Sequence, residues 1–226
     1  MIIPFIMEEA SALKEAVESM KKGQPMGDGI GPMVVGQMML DTSKQEIAFE
    51  TVWSKTEFEG RELLLVKAKG PNSTVGRPGE AIENIIPQEK PDLIIMIDAA
   101  LKLEGEDSAS IAKGFGAAMG GIGTDRFQIE DAATKNNVPI LAIVIKQSIH
   151  DALTIMTKEI ATKNNIPILA IVVKQTIREA VTLMSENIAK QAKTVRDEIY
   201  DMINENTKSG ETVMIVGVGN TLGILQ

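Results

Sequence analysis

Two aspartates carry the chemistry this sequence offers. Asp28 stands in MGDGIGP, where Gly27, Gly29 and Gly31 alternate around it before Pro32 and an apolar stretch. Asp98 closes LIIMID, a short and otherwise fully apolar run. In open α/β sheets the carboxyl ends of strands face the ligand crevice, so an acid that closes an apolar strand is placed for chemistry. If the Asp28 loop opens on the same edge, two carboxylates meet. Like charges held close raise one pKa, so that one acid keeps a proton while the other activates water. Each acid alone also fits a plainer role, Asp28 capping its helix or turn and Asp98 capping the segment after it.

Other groups could join them. Gly114, Gly116, Gly120, Gly121 and Gly123 could expose backbone N–H groups as an anion nest, or simply form a tight loop of small residues. Arg77 in VGRPGE starts a helix and could hold a carboxylate or phosphate, or stand solvated. Lys102, Glu104 and Glu106 follow Asp98 closely, as site or as surface. Asn220 ends the apolar run IVGVGN and would reach the same edge. Known signatures are missing. GDGIGP, GFGAAMGGIG and GVGNTLG fail the G-x-G-x-x-G spacing, and no P-loop, H-E-x-x-H or G-x-S-x-G occurs. The single histidine, His150, makes an ordinary zinc site improbable.

These residues must be positioned by elements, and the elements alternate. Residues 8–23 read as a helix stopped by Gly23 and Pro25, and PMVVGQMML as a second helix with Pro32 in its first turn. Residues 46–70 read as strands with a hairpin tip at Gly60. A turn-rich loop then enters a helix near Pro78. Strands are expected at 93–98, 139–147, 167–175 and 211–220, and helices at 127–137, 148–165 and 176–208. Alternation of this kind means an α/β fold, a mainly parallel or mixed central sheet flanked by helices. With 226 residues, 44% of them hydrophobic, the chain suits a single domain spanning 1–226. Aromatics make up only 3%, so 13 Met and many Ile, Leu and Val must fill the core.

Composition also excludes. A net charge of −8 argues against nucleic acid. No apolar run reaches the roughly 18 residues of a membrane span, and MIIPFIM is too short and insufficiently basic for a signal peptide. Without cysteine there are no disulfides. A cytoplasmic protein is expected.

One feature is unusual. ATKNNVPILAIVIKQSIHDALTIMTKEI (133–160) recurs as ATKNNIPILAIVVKQTIREAVTLMSENI (161–188), with roughly two-thirds of positions identical. This reads as a tandem duplication, natural or engineered, of one helix–strand–helix unit. The second copy either adds a strand at a sheet edge or leaves one copy outside the parent position. His150 becomes Arg178 in the second copy, which favours a solvated residue at a helix start over a ligand.

Through GDGIGPMVV, KAKGPNSTVGRPGEAIE, IDAALKLEGE, GFGAAMGGIG and GVGNTLGI, the chain resembles an archaeal family catalogued as a domain of unknown function, number 1512 (DUF1512). That family has no assigned activity and usually carries the unit at 133–160 once. More distantly, DGIGPMVV, KPDLIIMIDAAL, IAKGFGAAMGGIGTDR and NNVPILAIVIKQSIHDALTI look like successive blocks of spore germination protease, an α/β peptidase related to hydrogenase-maturation endopeptidases. The resemblance implies functional aspartates at Asp28 and Asp98, and in the hydrogenase peptidases the matching acids hold a metal. Those relatives open with a strand ending in Gly-x-Gly-Asn. Here that pattern lies at the C-terminus, which implies a circular permutation with a phosphorylase/hydrolase-like sheet.

Three expectations follow. The first is a hydrolase, peptidase- or amidase-like, using Asp28 and Asp98 on one water or one divalent metal. Gly27, Gly29, Gly116, Gly120, Gly121, Arg77 and Asn220 would line the substrate site. The second is a binding module for a phosphorylated small molecule or nucleotide. The third is a structural or oligomeric protein. The partner would be a small molecule or peptide, or a second copy of the chain.

Overall fold

The computed structural model describes residues 20–101, 107, 109–114, 117–118, 124–136, 138–141, 169–175, 184 and 186–225, with residues 7, 10, 14, 17 and 18 before them. A mixed eight-stranded sheet is flanked by helices, as an α/β fold requires. Its strands are β1 (Gln45–Ala48), β2 (Thr51–Phe58), β3 (Arg61–Ala68), β4 (Leu93–Leu101), β5 (Ile111–Gly114), β6 (Ile140–Leu141), β7 (Leu169–Gln175) and β8 (Thr212–Gly217). Their order is β1-β2-β3-β8-β4-β7-β5, with β6 also paired to β4. The central pairings β3–β8, β8–β4 and β4–β7 are parallel, and the outer ones are antiparallel.

Burial explains the centre. Leu63–Val66, Ile94–Ile97 and Val213–Val216 are all within 1% of full burial. Strands covered on both faces need such continuous apolar runs. β2 and β3 meet through a two-residue turn, with Phe58 paired to Arg61. Glu59 and Gly60 both take positive φ, 48° and 76°, as a tight hairpin turn of this hand demands.

The helices are α1 (Ile30–Met38), α2 (Pro78–Glu89), α3 (Thr124–Lys135) and α4 (Glu186–Asn206). α1 packs on β3, β8 and β4 and against α4, while α2 packs on α3 and β1. α1 starts at Ile30, two residues before Pro32, because a 3-10 turn at Gly27–Gly29 feeds directly into it. The first turn of a helix has no intrahelical use for its N–H groups, so Pro32 is tolerated there. Among the described residues no helix is long and apolar enough to cross a membrane.

Several expected bounds shift. β4 does not end at Asp98 but runs on to Leu101, because pairing with β7 continues through Leu101↔Gln175. α4 begins at Glu186, and Met184 is not helical. β5 was not foreseen. The second half of the expected strand 139–147 and the helix 148–165 lie outside the described residues. β6 and β7 occupy consecutive places along β4: Ile94 pairs with Ile140 and Ile95 with Leu169.

Candidate functional site

The carboxyl edge of β3 and β8 brings three segments together: the turn at Gly27–Gly29, the loop after β3 and the loop after β8. β8 ends at Gly217, and the Val218 N–H then donates to Ile97 O at 2.8 Å. Gly219 turns the chain with φ 133°, and a Cβ there would stand 2.0 Å from Asp28 O. A Cβ on Gly31 would stand 2.3 Å from Val218 O and 2.5 Å from Ile97 O. Only glycine lets the start of α1 settle this closely on the ends of β8 and β4. Gly31 is therefore explained by contact between backbones, and Gly29 by its approach to Ile224 and to Asn220 O.

Asp28 sits in the 3-10 turn between buried Gly27 and Gly29. Its Oδ2 accepts the Asn220 N–H at 3.1 Å. Burial pushes its pKa up, and the Asn220 N–H pulls it partly back. Asn220 is pinned by its side chain: Oδ1 accepts the Leu222 N–H at 2.8 Å, and Nδ2 donates to Ser73 Oγ at 2.9 Å. Thr221, fully buried, places Oγ1 2.8 Å from Asn72 O and 3.0 Å from Thr74 O. The Gly223 N–H donates to Pro71 O at 2.9 Å. These bonds stitch the loop after β3 to the loop after β8, directly beside Asp28.

Asp98 is 7% exposed, and its Oδ1 accepts the Ala99 N–H at 2.8 Å. Ile97↔Gly217 is the last pair between β4 and β8, whereas β4 stays paired with β7 for four residues more. Asp98 is thus the first residue of β4 beyond β8, at the gap that β8 leaves on turning away. Gly217 faces Gly31 and Val35 of α1. Its register partner Ile97 shares that face, so Asp98 leaves β4 on the other. Asp28 lies at this edge beside Asn220, and Asp98 stands on β4 one residue past its last pair with β8, on the face away from α1.

Asp28, Gly27, Gly29 and Asn220 gather at this edge, and Asp98 lies on β4 just past Ile97, whose carbonyl accepts the Val218 N–H. Arg77 caps α2 at the same edge but is 63% exposed, with its Nε 3.9 Å from Glu80 Oε2. Gly114 ends β5. Gly116, Gly120, Gly121, Gly123, Lys102, Glu104, Glu106, His150 and Arg178 lie outside the described residues. Two carboxylates suit a cation that keeps most of its water, such as magnesium. Among the described residues no group of three or more His, Asp or Glu gathers to hold a metal.

Three residues escaped the sequence reading. Ser73 and Thr221 become partners only because β3 and β8 are neighbours, which no local pattern announces. Lys67 is 1% exposed at the end of β3, where Nζ donates to Ala68 O at 2.9 Å. Burial, assisted by nearby Lys44, pushes its pKa down to about 8. Its signal was a lysine directly after the apolar run LLLV.

No curated protein matches this sequence. Over residues 26–164 and again over 159–225 the sequence matches the family described as Domain of unknown function (DUF1512) C-terminal, and the chain belongs to that family.

Proposed function

We propose that the chain is a hydrolase, peptidase- or amidase-like, in which Asp28 and Asp98 act on one water or one divalent metal at the carboxyl edge of the sheet. The observation that carries this reading is the bond from the Asn220 N–H to Asp28, with the pKa of Asp28 raised by burial, at the edge where Asp98 passes beyond β8. Two acids in unlike surroundings divide the labour of hydrolysis. Asp98, as carboxylate, takes a proton from water as its oxygen adds to the amide carbon. Asp28 gives a proton to the leaving nitrogen as the C–N bond breaks. A divalent metal, when bound, would supply Lewis-acid polarisation of the carbonyl. The position of the VGVGN segment against Asp28 supports the permuted peptidase-like arrangement, and the substrate class is a peptide or small amide.

The test is turnover of a quenched fluorescent peptide library and of simple amides, with and without Mg²⁺, Mn²⁺ or Zn²⁺. Asp98→Asn should reduce turnover on the order of a hundredfold or more with its unfolding midpoint unchanged. A second reading has its own observation, the bond from the Asn220 N–H to Asp28, which makes Asp28 a brace for the C-terminal loop. It predicts that Asp28→Ala lowers the midpoint, that no substrate turns over, and that Asp98→Asn alters no ligand response.

A further inference from the structure

The loop after β3 and the turn after β8 meet at one exposed hydroxyl. It belongs to Ser73, in GPNSTVG. Asn220 Nδ2 donates to its Oγ at 2.9 Å. The direction of that bond is fixed, because Asn220 Oδ1 already accepts the Leu222 N–H at 2.8 Å. The amide cannot turn its oxygen to Ser73 without losing that bond. Ser73 must therefore accept, and its own O–H hydrogen is left over. Among the described residues nothing accepts it.

The hydroxyl is held in place from behind. Thr221 Oγ1 lies 2.8 Å from Asn72 O and 3.0 Å from Thr74 O, so both neighbours of Ser73 are tied to one fully buried side chain. The Thr221 N–H also donates to Thr74 O at 3.0 Å. A Cβ on Gly70 would collide with Ile224 O, so the start of the loop is seated on the C-terminal segment. Asn220, whose amide orients Ser73, gives its backbone N–H to Asp28 Oδ2 at 3.1 Å. One residue thus positions both the acid and the hydroxyl. A hydroxyl that accepts a hydrogen bond is polarised and becomes a better donor.

We propose that Ser73 is a catalytic hydrogen-bond donor, giving its O–H to the carbonyl oxygen of the amide that is cleaved. This rests on the hydrolase reading and supplies the group that reading lacks, a donor for the carbonyl. As the water oxygen adds to the amide carbon, the C=O electron pair moves onto oxygen and a water proton passes to Asp98. Ser73 donates to the oxygen that gains this charge. The pair then returns as the C–N bond breaks, and Asp28 gives its proton to the leaving nitrogen. The full charge on that oxygen exists only during reaction. A donor fixed there therefore favours the transition state over the bound amide.

The experiment compares Ser73→Ala, Ser73→Thr and Asp98→Asn in the full chain, on the most rapidly cleaved member of the quenched fluorescent peptide library. Ser73→Ala should lower kcat on the order of a hundredfold. Its KM should stay within about threefold of the parent value, and its urea midpoint should not move. Ser73→Thr restores the hydroxyl and should recover turnover to within about tenfold of the parent. A residue that only ties two loops would instead lower the midpoint and raise KM, and that result overturns the proposal. So does an unchanged kcat in Ser73→Ala where Asp98→Asn abolishes turnover, an outcome that leaves the hydrolase reading standing. If no peptide or amide turns over in the parent chain, the hydrolase reading falls and this assignment falls with it.

Discussion

The two edges of the sheet bury charge by different rules. At the amino edge, Arg61 opens β3 and is 9% exposed, yet its guanidinium is well supplied with acceptors. Nε donates to Thr207 Oγ1 at 2.9 Å, one terminal nitrogen to Thr207 O at 2.8 Å, and the other to Glu59 O at 3.3 Å. Asp92, before β4, stays exposed and accepts the Thr212 N–H at 2.8 Å. A cavity of about 300 Å³ beside it is lined by Ile86, Pro87, Lys90, Asn136 and Val138. At the carboxyl edge, Lys67 stands in the last two residues of the same strand, more deeply buried, with a single acceptor among the described residues. Asp28 has, among the described residues, a single donor. The amino edge matches charge to partners and so secures the fold. At the carboxyl edge burial outweighs the partners, and it displaces the pKa values of Asp28 and Lys67 against their charged forms. Groups displaced by burial in this way are a reason to test this edge for function.

The contrast can be broken experimentally, most heavily at Arg61. Arg61→Ala leaves the Thr207 acceptors bare and should cost about 3 kcal/mol in urea unfolding. A loss under about 1 kcal/mol would mean that the amino edge is not held as described. Next is Gly31→Ala, where a Cβ 2.3 Å from Val218 O must push α1 off the sheet, at about 2 kcal/mol. The same variant should also lower any turnover assigned to Asp28.

Lys67→Met should act in the opposite direction. The ammonium is forced from 10.5 to about 8 by burial, so below about 8 its charged form is carried at a cost to the folded state. As pH rises from about 8 to 10.5 the folded state has already released the proton, and stability of the parent chain increases. Methionine removes the cost, so the variant should gain about 1–2 kcal/mol at pH 7, with the gain vanishing near 10.5. A thermal melt series across that range reads it directly.

The smallest effect is at Asp28. Its folded pKa is raised above the ordinary 3.8. Folding is therefore unaffected by this group below 3.8, loses stability as pH rises through the raised value, and carries the full cost above it. Asp28→Asn should flatten that part of the stability profile and leave the Asn220 tie intact, since the amide oxygen still accepts. An unchanged slope would place the titration elsewhere.

Much of the site was legible because its residues interrupt local patterns. Asp28 breaks a glycine run, Asp98 follows five apolar residues, and Asn220 follows the apolar run that becomes β8, three residues past the strand's end at Gly217. Ser73 and Thr221 break nothing locally. Their roles come from β8 inserting between β3 and β4 across more than half of the chain. The end of β4 was misjudged for the same reason. A polar residue reads as a strand end, but pairing with β7 carries β4 past Asp98 to Leu101.

By itself the sequence determined the α/β class, the central strands, the hairpin at Gly60 and the two acids as the residues to follow. These rest on periodicity, turn chemistry and runs of apolar residues, which are properties of neighbours along the chain. Only the tertiary structure decided that Gly31 and Gly219 are needed where backbones touch, that Asn220 ties Asp28, and that Leu169 continues the line begun by Ile140. These contacts join residues far apart along the chain, so no pattern among sequence neighbours announces them.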